Sequence, residues 1–464
     1  MLKKILDTFA NCFRIPELRS RILFTLGLLA VCRIIAYIPI PGLDGAALAE
    51  FFRQNASKMG GLLGMYSLFT GGAFERCAVG SLGIMPYISA TIILQLLGAV
   101  IPQLSKMMRE EHGRIKIIQY GRYLTVLLCL GQGFVMALGW EHPDRIFGTN
   151  FPGGLVLMDH LWWYRIQTAL LLTTGTILLM WLGEQISDRG IGNGVSLVIT
   201  IGIIARLPAA VSAAYIMFFP PGGQSRYNIF HAIAMILLLV AVVAGIVAVT
   251  QAQRKIPVQY AQRTIGRRVY AGTTSFMPLR VSYAGVMPII FAQAVMMFPR
   301  SIFAWGARII QHSSPGFGRL LEGIAAAFQY GTFTYMTIEG ILIFFFSYFW
   351  VATQFNEVQI ADDLKKYGGY IPGVRPGQQT SEFLHRAMSR ITFGGAVFLV
   401  IIALIPGLMY KLAQVPPLVA QFFGGTSMLI IVGVLLDTIR QIESHLMMRH
   451  YDGFLKKGRV RARF

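Results

Sequence analysis

The sequence is poor in charged residues and in cysteine. Only 13% of its 464 residues are charged, whereas 55% are hydrophobic, and this balance favours one polytopic membrane domain over several soluble ones. The few cysteines are widely separated and include no CxxC pair, so they predict neither a disulfide framework nor a metal site. We expect small, buried apolar side chains at all of them: Cys12, Cys32, Cys77 and Cys129.

Ionisable groups are scarce deep within the apolar runs. Transporters coupled to ions or protons place acidic, basic or histidine side chains inside their spans. Most such residues here lie near the ends of predicted spans, at Arg122, Arg165, Arg206, Arg300, Glu339, Arg390 and Asp437. Two exceptions, Arg33 and His231, are expected to reach the membrane surface or to be satisfied by helix packing.

The sequence also lacks the motifs of catalytic sites. Its eight histidines include no HExxH pair. The segment Gly190-Ile-Gly-Asn-Gly194 has the wrong spacing for either nucleotide-binding fingerprint, and we predict that it is a tight turn between two spans. We therefore expect no enzyme activity, no cofactor and no metal.

Ten apolar runs are long enough to cross a bilayer, which needs roughly 20 residues. They are 22–39, 77–97, 117–139, 161–182, 191–211, 228–250, 283–303, 333–355, 389–409 and 421–440. The first run has no small-residue cleavage site after it, so we predict a retained span and not a signal peptide.

The basic residues are distributed unevenly between the segments that join these spans. Alternate segments hold 29 of the 41 Lys and Arg residues, and these segments are 1–21, 98–122, 183–190, 251–282, 357–390 and 440–464. Because Lys and Arg mark the cytoplasmic side of a membrane protein, this distribution places both termini in the cytosol. That placement agrees with an even number of spans.

One apolar segment, Leu62 to Phe69, is far too short to cross a bilayer. Glycine pairs bracket it, Glu75-Arg76 follows, and the full span 77–97 comes next, with Pro86 near its middle. We predict that the short segment enters the membrane and turns back. Such a segment is stable at membrane depth only where protein or water surrounds it, so a cavity is expected.

An eight-residue pattern, G-[IV]-M-P-x-I-x-A, occurs twice, at 83–90 and at 285–292. The predicted topology gives the two copies opposite orientations, so the chain resembles two inverted five-span halves with a functional pathway near their interface. A proline within each span should bend its helix next to a cavity. The branched residues near these prolines, Ile84, Ile88 and Ile290, share this context, and Ile199 and Ile203 repeat the i, i+4 spacing.

Amides and basic loops provide the remaining candidate sites. Gln95, Gln132 and Gln293 are isolated polar residues within spans, and they either hold helices together or form a polar seam.

Two long basic loops, 251–282 and 357–390, have an alternating or turn-rich pattern that predicts short strands and an ordered, presented Arg375. Anionic lipid headgroups would account for a few of these charges. Docking of an acidic macromolecule, either RNA or an acidic motor protein, accounts for the ordered loops as well.

Several motifs in one order resemble the SecY family, the central subunit of the protein-conducting channel. They are Arg33 with Ile38-Pro-Ile-Pro-Gly42, Gly83-Ile-Met-Pro-Tyr-Ile-Ser-Ala90, Asp188-Arg-Gly-Ile-Gly-Asn-Gly194, Gly266-Arg-Arg-Val-Tyr270, Tyr370-Ile-Pro-Gly-Val-Arg-Pro-Gly377 and Gly424-Gly-Thr-Ser427. The resemblance covers essentially the whole chain. It implies an all-α membrane protein with ten transmembrane helices in a clamshell of two inverted halves, 1–211 and 212–440, followed by a basic tail, 441–464.

The resemblance also implies roles for particular residues. A re-entrant plug near 60–74 would present Leu62, Leu63, Met65, Tyr66, Leu68 and Phe69. A hydrophobic pore ring would comprise Ile84, Ile88, Ile199, Ile203, Ile290 and Ile430. The lateral gate would include Gln95, Gln132 and Gln293. The docking surface would present Arg254, Arg263, Arg267, Arg268 and Arg375 to the ribosome or to the SecA motor.

A channel of this family in the bacterial inner membrane would work with SecE, SecG, translocating polypeptides and anionic lipids. Thr200 departs from the apolar pattern close to the ring, and we expect its hydroxyl to bond back to its own helix. Three rival functions fit the sequence less well: an inverted-repeat secondary transporter, a membrane-embedded enzyme and a structural scaffold. The first needs ion ligands at depth, the second needs a catalytic set, and the third leaves the plug and ring unexplained.

Overall fold

The computed structural model describes residues 15–54, 62–143, 154–220, 227–260, 263–265, 268–270, 274–281, 283, 285–311 and 314–457. The chain divides into two compact units. Unit 1 comprises Met1–Ala213 and Ile430–Phe464, and unit 2 comprises Ala214–Leu429.

Unit 1 is built from helices. They are α1 (Pro16–Ile35), α2 (Gly45–Gln54), α3 (Leu62–Phe69), α4 (Met85–Val100), α5 (Pro102–Arg109), α6 (Glu111–Glu141), α7 (Leu161–Arg189), most of α8 (Gly194–Phe218) and most of α16 (Thr426–Lys457). A short 3-10 helix, Phe74–Arg76, lies between α3 and α4. Two long helices of this unit, α6 and α7, pack along each other.

Unit 2 combines helices with a small sheet. Its helices are α9 (Ile229–Gln251), α10 (Met287–Gln311), α11 (Pro315–Ala327), α12 (Phe333–Gln354), α13 (Glu357–Lys366), α14 (Gln378–Ala413) and α15 (Pro417–Gly424). Its strands are β1 (Gln253–Tyr260), β2 (Arg263–Ile265), β3 (Arg268–Tyr270), β4 (Thr274–Arg280) and β5 (Gly369–Tyr370). The strands confirm the prediction of short strands in loop 251–282.

The predicted spans all overlap helices. Six described helices are long and apolar enough to cross a membrane, and the pairs α4 with α5 and α15 with α16 would raise the number to eight if each pair were one bent span. The helices at the first and seventh predicted spans, α1 and α10, fall outside this set. Four further helices, α2, α5, α11 and α13, lie in segments for which the sequence predicts no helix.

Pro86 does not bend a helix at mid-span, so that prediction is wrong. Residues 77–84 form turns, and α4 begins at Met85 with the proline in its first turn. A proline is tolerated there because the first amide groups of a helix have no intrahelical acceptor. The second copy of the repeated motif has the same local structure, because Gly83 and Gly285 both adopt positive φ, at 60° and 59°, and α10 also begins two residues after its glycine.

Phe74 lies at the centre of an aromatic cluster in the core of unit 1. Its ring lies 5.8 Å from that of Phe52, 5.3 Å from that of Tyr66 and 6.1 Å from that of Trp140. These contacts join α2, α3 and α6 around the 3-10 helix, and each aromatic pair adds about 0.5–1.5 kcal/mol beyond area burial. The short apolar helix α3 is therefore packed against protein.

Three of the four cysteines, Cys32, Cys77 and Cys129, are buried and unpaired, as predicted, whereas Cys12 lies outside the described residues. Within the described part of the chain, no group of three His, Cys, Asp or Glu side chains could hold a metal ion.

The glycine-rich segment 190–194 forms the predicted turn between α7 and α8, and three of its backbone N–H groups donate hydrogen bonds to side-chain oxygens. Ile191 N donates to Thr25 Oγ1 at 3.1 Å, and Gly192 N donates to Gln441 Oε1 at 2.8 Å. Gly194 N donates to Ser187 Oγ at 2.9 Å. Because the accepting oxygens belong to side chains of α1, α7 and α16, the turn links these helices within unit 1.

Candidate functional site

The six isoleucines of the predicted ring are all buried. In unit 1, Ile84, Ile88, Ile199, Ile203 and Ile430 are each at most 5% exposed, and in unit 2 Ile290 is fully buried. Ile84 caps the start of α4, where its carbonyl accepts a bond of 3.2 Å from Ile88 N. Thr200 Oγ1 donates to Ser196 O at 2.8 Å, so its hydroxyl bonds to its own helix as expected.

The short segment predicted to re-enter the membrane is helix α3, and its bounds match the predicted segment. Tyr66 is half-buried, whereas Leu68 and Phe69 are buried. The side chains of Leu62, Leu63 and Met65 lie outside the described set. We call α3 the plug helix from here on, as a label for Leu62–Phe69.

A cavity of about 30 Å³ lies in unit 1 beside the end of the plug helix. Its lining includes Phe69, Thr70, Ile84, Arg33 and Gly202. The volume is room for about one water molecule. The end of the plug helix and one isoleucine of the predicted ring therefore line the same small space.

Two arginines contact the segment that follows the plug helix. Arg33 Nη2 donates to Gly71 O at 3.2 Å, and its guanidinium carbon lies 5.4 Å from the ring centre of Tyr37. Arg206 Nη1 donates to Glu75 Oε2 at 2.8 Å, and its Nη2 bonds to the other carboxylate oxygen. Arg33 is therefore satisfied by packing within unit 1. His231 is satisfied too, because it caps the start of α9 together with Asn228.

The three amides of the predicted gate have different surroundings. Gln95, on α4, has a buried side-chain oxygen without a hydrogen-bond partner among the described residues, whereas Gln132, on α6, is half-buried. Gln293, on α10 of unit 2, is buried. The gate assignment stays a prediction.

The two basic loops meet in one sheet. Strand β1, from loop 251–282, pairs antiparallel with β4 and also with β5, which belongs to loop 357–390. A buried apolar cluster beneath the sheet includes Ile256, Val258 and Leu384. Both loops are thus fixed to the ends of α12 and α14.

Arg375 lies in a constrained turn. Val374 N donates to Ile371 O at 3.1 Å, with Pro372 and a positive-φ Gly373 between them, which is the pattern of a type II turn. On the other side, the buried Thr380 donates through Oγ1 to Arg375 O at 2.9 Å. The backbone is fixed at both sides, and the side chain of Arg375 is exposed.

The other predicted docking residues are only partly described. Arg254 is exposed on β1. The backbones of Arg263 and Arg268 lie in the β2–β3 hairpin, and their side chains are outside the described set. Arg267 lies outside the described residues altogether.

Comparison with known proteins decides the family. A family model described as SecY matches residues 78–439. The protein translocase subunit SecY of Thermotoga maritima is 44% identical over 98% of this chain and 99% of its own length. The subunit of the same name from Chlamydia trachomatis is 41% identical over the same shares. The chain belongs to the SecY family.

Solved structures share the fold of this SecY-family chain at low sequence identity. One, described as the structure of a protein conducting channel, has a TM-score of 0.53 and 19% identity, with 91% of each chain covered. Another, whose description concerns the plug domain of SecY, has a TM-score of 0.55 and 19% identity, also over 91% of each chain. These likenesses support the fold.

The sequence does not predict the contact between Ser67, Glu75 and Arg206. Ser67 Oγ donates to Glu75 Oε1 at 2.6 Å, and Glu75 in turn pairs with Arg206. Glu75 and Arg206 are 131 positions apart, and the sequence marks Glu75 only as part of a charged break and Arg206 only as a charge near the end of a span. Their one common signal in the sequence is that each is a charged residue next to an apolar segment.

Proposed function

We propose that this SecY-family chain is the channel subunit of a translocase, which passes unfolded polypeptides across a membrane and releases apolar segments sideways. The observation that carries the proposal is the cavity in which the plug helix and Ile84 meet, within a unit where five of the six ring isoleucines are buried. Buried, branched aliphatic side chains suit a constriction that polypeptide, but not ions, can pass.

Such a channel must exclude ions and must let apolar segments partition into the bilayer. A constriction of aliphatic side chains excludes hydrated ions by dewetting, and it can yield around a chain of varying width. Within the bilayer, a central Asp, Lys or Arg costs about 2.5–3.5 kcal/mol, whereas Leu gains a few tenths. A channel that opens sideways would let this difference sort secreted segments from membrane-spanning ones. Gln95, Gln132 and Gln293 are our candidates for the seam that separates.

The rival transporter function has less support. An ion-coupled transporter needs ionisable ligands at depth. Near the cavity, the ionisable groups Arg33, Glu75 and Arg206 are engaged with each other or with Gly71 O. Membership of the SecY family also argues for a channel and not for a secondary transporter.

We further propose the partners and the location. SecE and SecG would accompany the chain, and the basic surface with Arg254, Arg263, Arg267, Arg268 and Arg375 would bind the ribosome or the SecA motor. One structural neighbour is described as an idle yeast Ssh1 complex bound to the yeast 80S ribosome. The relatives are bacterial, which suits a bacterial inner membrane with both termini in the cytosol. Anionic lipids would contact the basic segments next to the helix ends.

Substitution of a ring isoleucine by asparagine should loosen the selectivity of the channel. Asparagine brings a polar group into the constriction, which weakens dewetting and stabilises the open state. We expect Ile88→Asn and Ile430→Asn each to increase export of a precursor with a defective signal sequence by about tenfold, which corresponds to a shift of about 1.4 kcal/mol. Export into inverted membrane vesicles, with precursor protected from protease as the readout, measures this.

Two controls accompany that measurement. Ile88→Val keeps an aliphatic side chain and should keep selectivity. Ile166→Asn changes an exposed isoleucine of α7 and should leave selectivity unchanged as well. Unchanged selectivity in Ile88→Asn and Ile430→Asn, with normal export of intact precursor, would remove both from the ring.

A further inference from the structure

The plug helix ends in a hinge made of two glycines. Gly71 N donates to Leu68 O at 3.2 Å and Gly72 N donates to Ser67 O at 2.8 Å, the two bonds of a Schellman motif. Both glycines have positive φ, 64° and 85°. Because rotation at two consecutive glycines has little steric cost, these two residues can redirect the helix that precedes them.

The hinge lies in a tight cradle. A Cβ atom at Gly71 would come within 2.3 Å of Arg33 Nη1 and 2.9 Å of Gly202 Cα. Arg33 also bonds to the Gly71 carbonyl. The cradle therefore fixes the hinge against α1 and α8, so opening would move the plug helix and not the hinge.

Beyond the hinge, Glu75 is anchored to α8. Arg206 binds both of its carboxylate oxygens, and the two side chains are only 19% and 17% exposed. A bidentate Arg–carboxylate pair is among the strongest polar contacts in proteins, and partial burial limits its screening by salt. Glu75 thus belongs to the fixed side of the hinge.

Ser67 links the movable side to this anchor. It lies on the plug helix, and its Oγ donates to Glu75 Oε1 at 2.6 Å. This single bond from a neutral donor is weaker than the bidentate pair. When it breaks, Arg206 still satisfies Glu75, and the serine hydroxyl can bond to a carbonyl of its own helix. The bond between Ser67 and Glu75 is therefore the one that can open reversibly.

We propose that Ser67, Glu75 and Arg206 form a latch that holds the plug helix closed, with Gly71–Gly72 as the hinge. The proposal rests on the proposed channel function and specifies how its resting state is kept. Incoming polypeptide would open the channel by breaking the bond between Ser67 and Glu75, while Glu75 stays on Arg206. All three are positioning residues, because they act by placing the plug helix.

The test measures resting ion conductance in planar bilayers that contain the chain purified with its accompanying subunits. Glu75→Gln weakens both the anchor and the latch, and Ser67→Ala removes the latch alone. We expect conductance to rise about tenfold in the first and severalfold in the second. The matched control is Glu141→Gln, since Glu141 makes a bidentate pair with Arg165 at 2.9 and 3.0 Å and similar exposure, away from the plug helix. It should leave conductance unchanged.

Two further variants separate a latch from general loosening of the fold. The exchanged pair Glu75→Arg with Arg206→Glu restores an ion pair, and the guanidinium at position 75 can donate to Ser67 Oγ, so conductance should return toward the unmodified value. In a chain that lacks residues 62–70, Glu75→Gln should add nothing, because there is no plug helix to hold. A further tenfold rise in that background would overturn the latch.

The outcomes also distinguish the latch from the function on which it rests. If deletion of 62–70 raises conductance but neither Ser67→Ala nor Glu75→Gln does, the latch is wrong and the plug stands. If the deletion itself changes nothing, the plug assignment fails. Should Glu75→Gln not accumulate in the membrane, Ser67→Ala decides the question, because it removes only one hydroxyl.

Discussion

Exchange of Arg375 for glutamate is expected to stop export while the channel itself still inserts into the membrane. The turn that carries Arg375 is held by the bond from Val374 N to Ile371 O and by the bond from Thr380 Oγ1 to Arg375 O. An exposed charge on a fixed backbone binds a partner without a large ordering cost. Its reversal replaces attraction to an acidic partner by repulsion.

The expected loss of export is about thirtyfold or more, since loss of a close charge contact in an interface costs about 2–5 kcal/mol and each 1.4 kcal/mol is tenfold. Export of a secretory precursor into inverted membrane vesicles measures it, and immunoblotting of the membranes checks insertion. Arg386→Glu is the matched control, because Arg386 is also an exposed arginine of this region, on α14. Equal losses in both variants would point to net charge and not to a site, and full export in Arg375→Glu would show that Arg375 is not a docking residue.

Deletion of residues 62–70 is expected to make the resting channel conduct ions. The deleted segment contributes Phe69 and Thr70 to the cavity that Ile84 also lines. Its Tyr66 packs on Phe74, which fixes the helix in the core of unit 1. Without the helix, the isoleucines alone must exclude ions, so water and ions should enter more often.

Conductance should rise about tenfold for each 1.4 kcal/mol by which the plug helix favours the closed state. Single-channel recording in planar bilayers measures this rise, and a chain in which Phe69 alone is changed to Leu provides a control of similar apolar volume. Conductance equal to that of the unmodified channel, with the deleted chain present in the bilayer, would count against the plug assignment.

Local patterns in the sequence predicted much of the fold. Glycine pairs bracket the plug helix and its bounds follow from them, since glycine ends a helix wherever positive φ is needed. Alternating apolar residues predict strand β1, and the turn residues Gly373 and Pro376 on either side of Arg375 predict that it is held in an ordered turn. Each of these features depends on residues within a few positions of one another.

Features that depend on distant residues were not predictable in the same way. The pairing of β1 with β5 joins residues more than 100 positions apart, and nothing in either segment alone specifies its partner. The pair of Glu75 with Arg206 and the contact of Arg33 with Gly71 O also arise from tertiary packing. Pro86 was misplaced for a different reason: hydropathy alone marks an apolar stretch and does not show where its helix begins.

The central claim is that a polypeptide in transit passes the buried isoleucines. The most direct measurement is disulfide cross-linking of a stalled secretory chain, carrying one cysteine, to Ile88→Cys in a channel without its native cysteines. We predict a strong cross-link at position 88 and none at Ile236→Cys, an exposed site on α9. A cross-link at position 236 with none at position 88, in a channel that still exports, would contradict it.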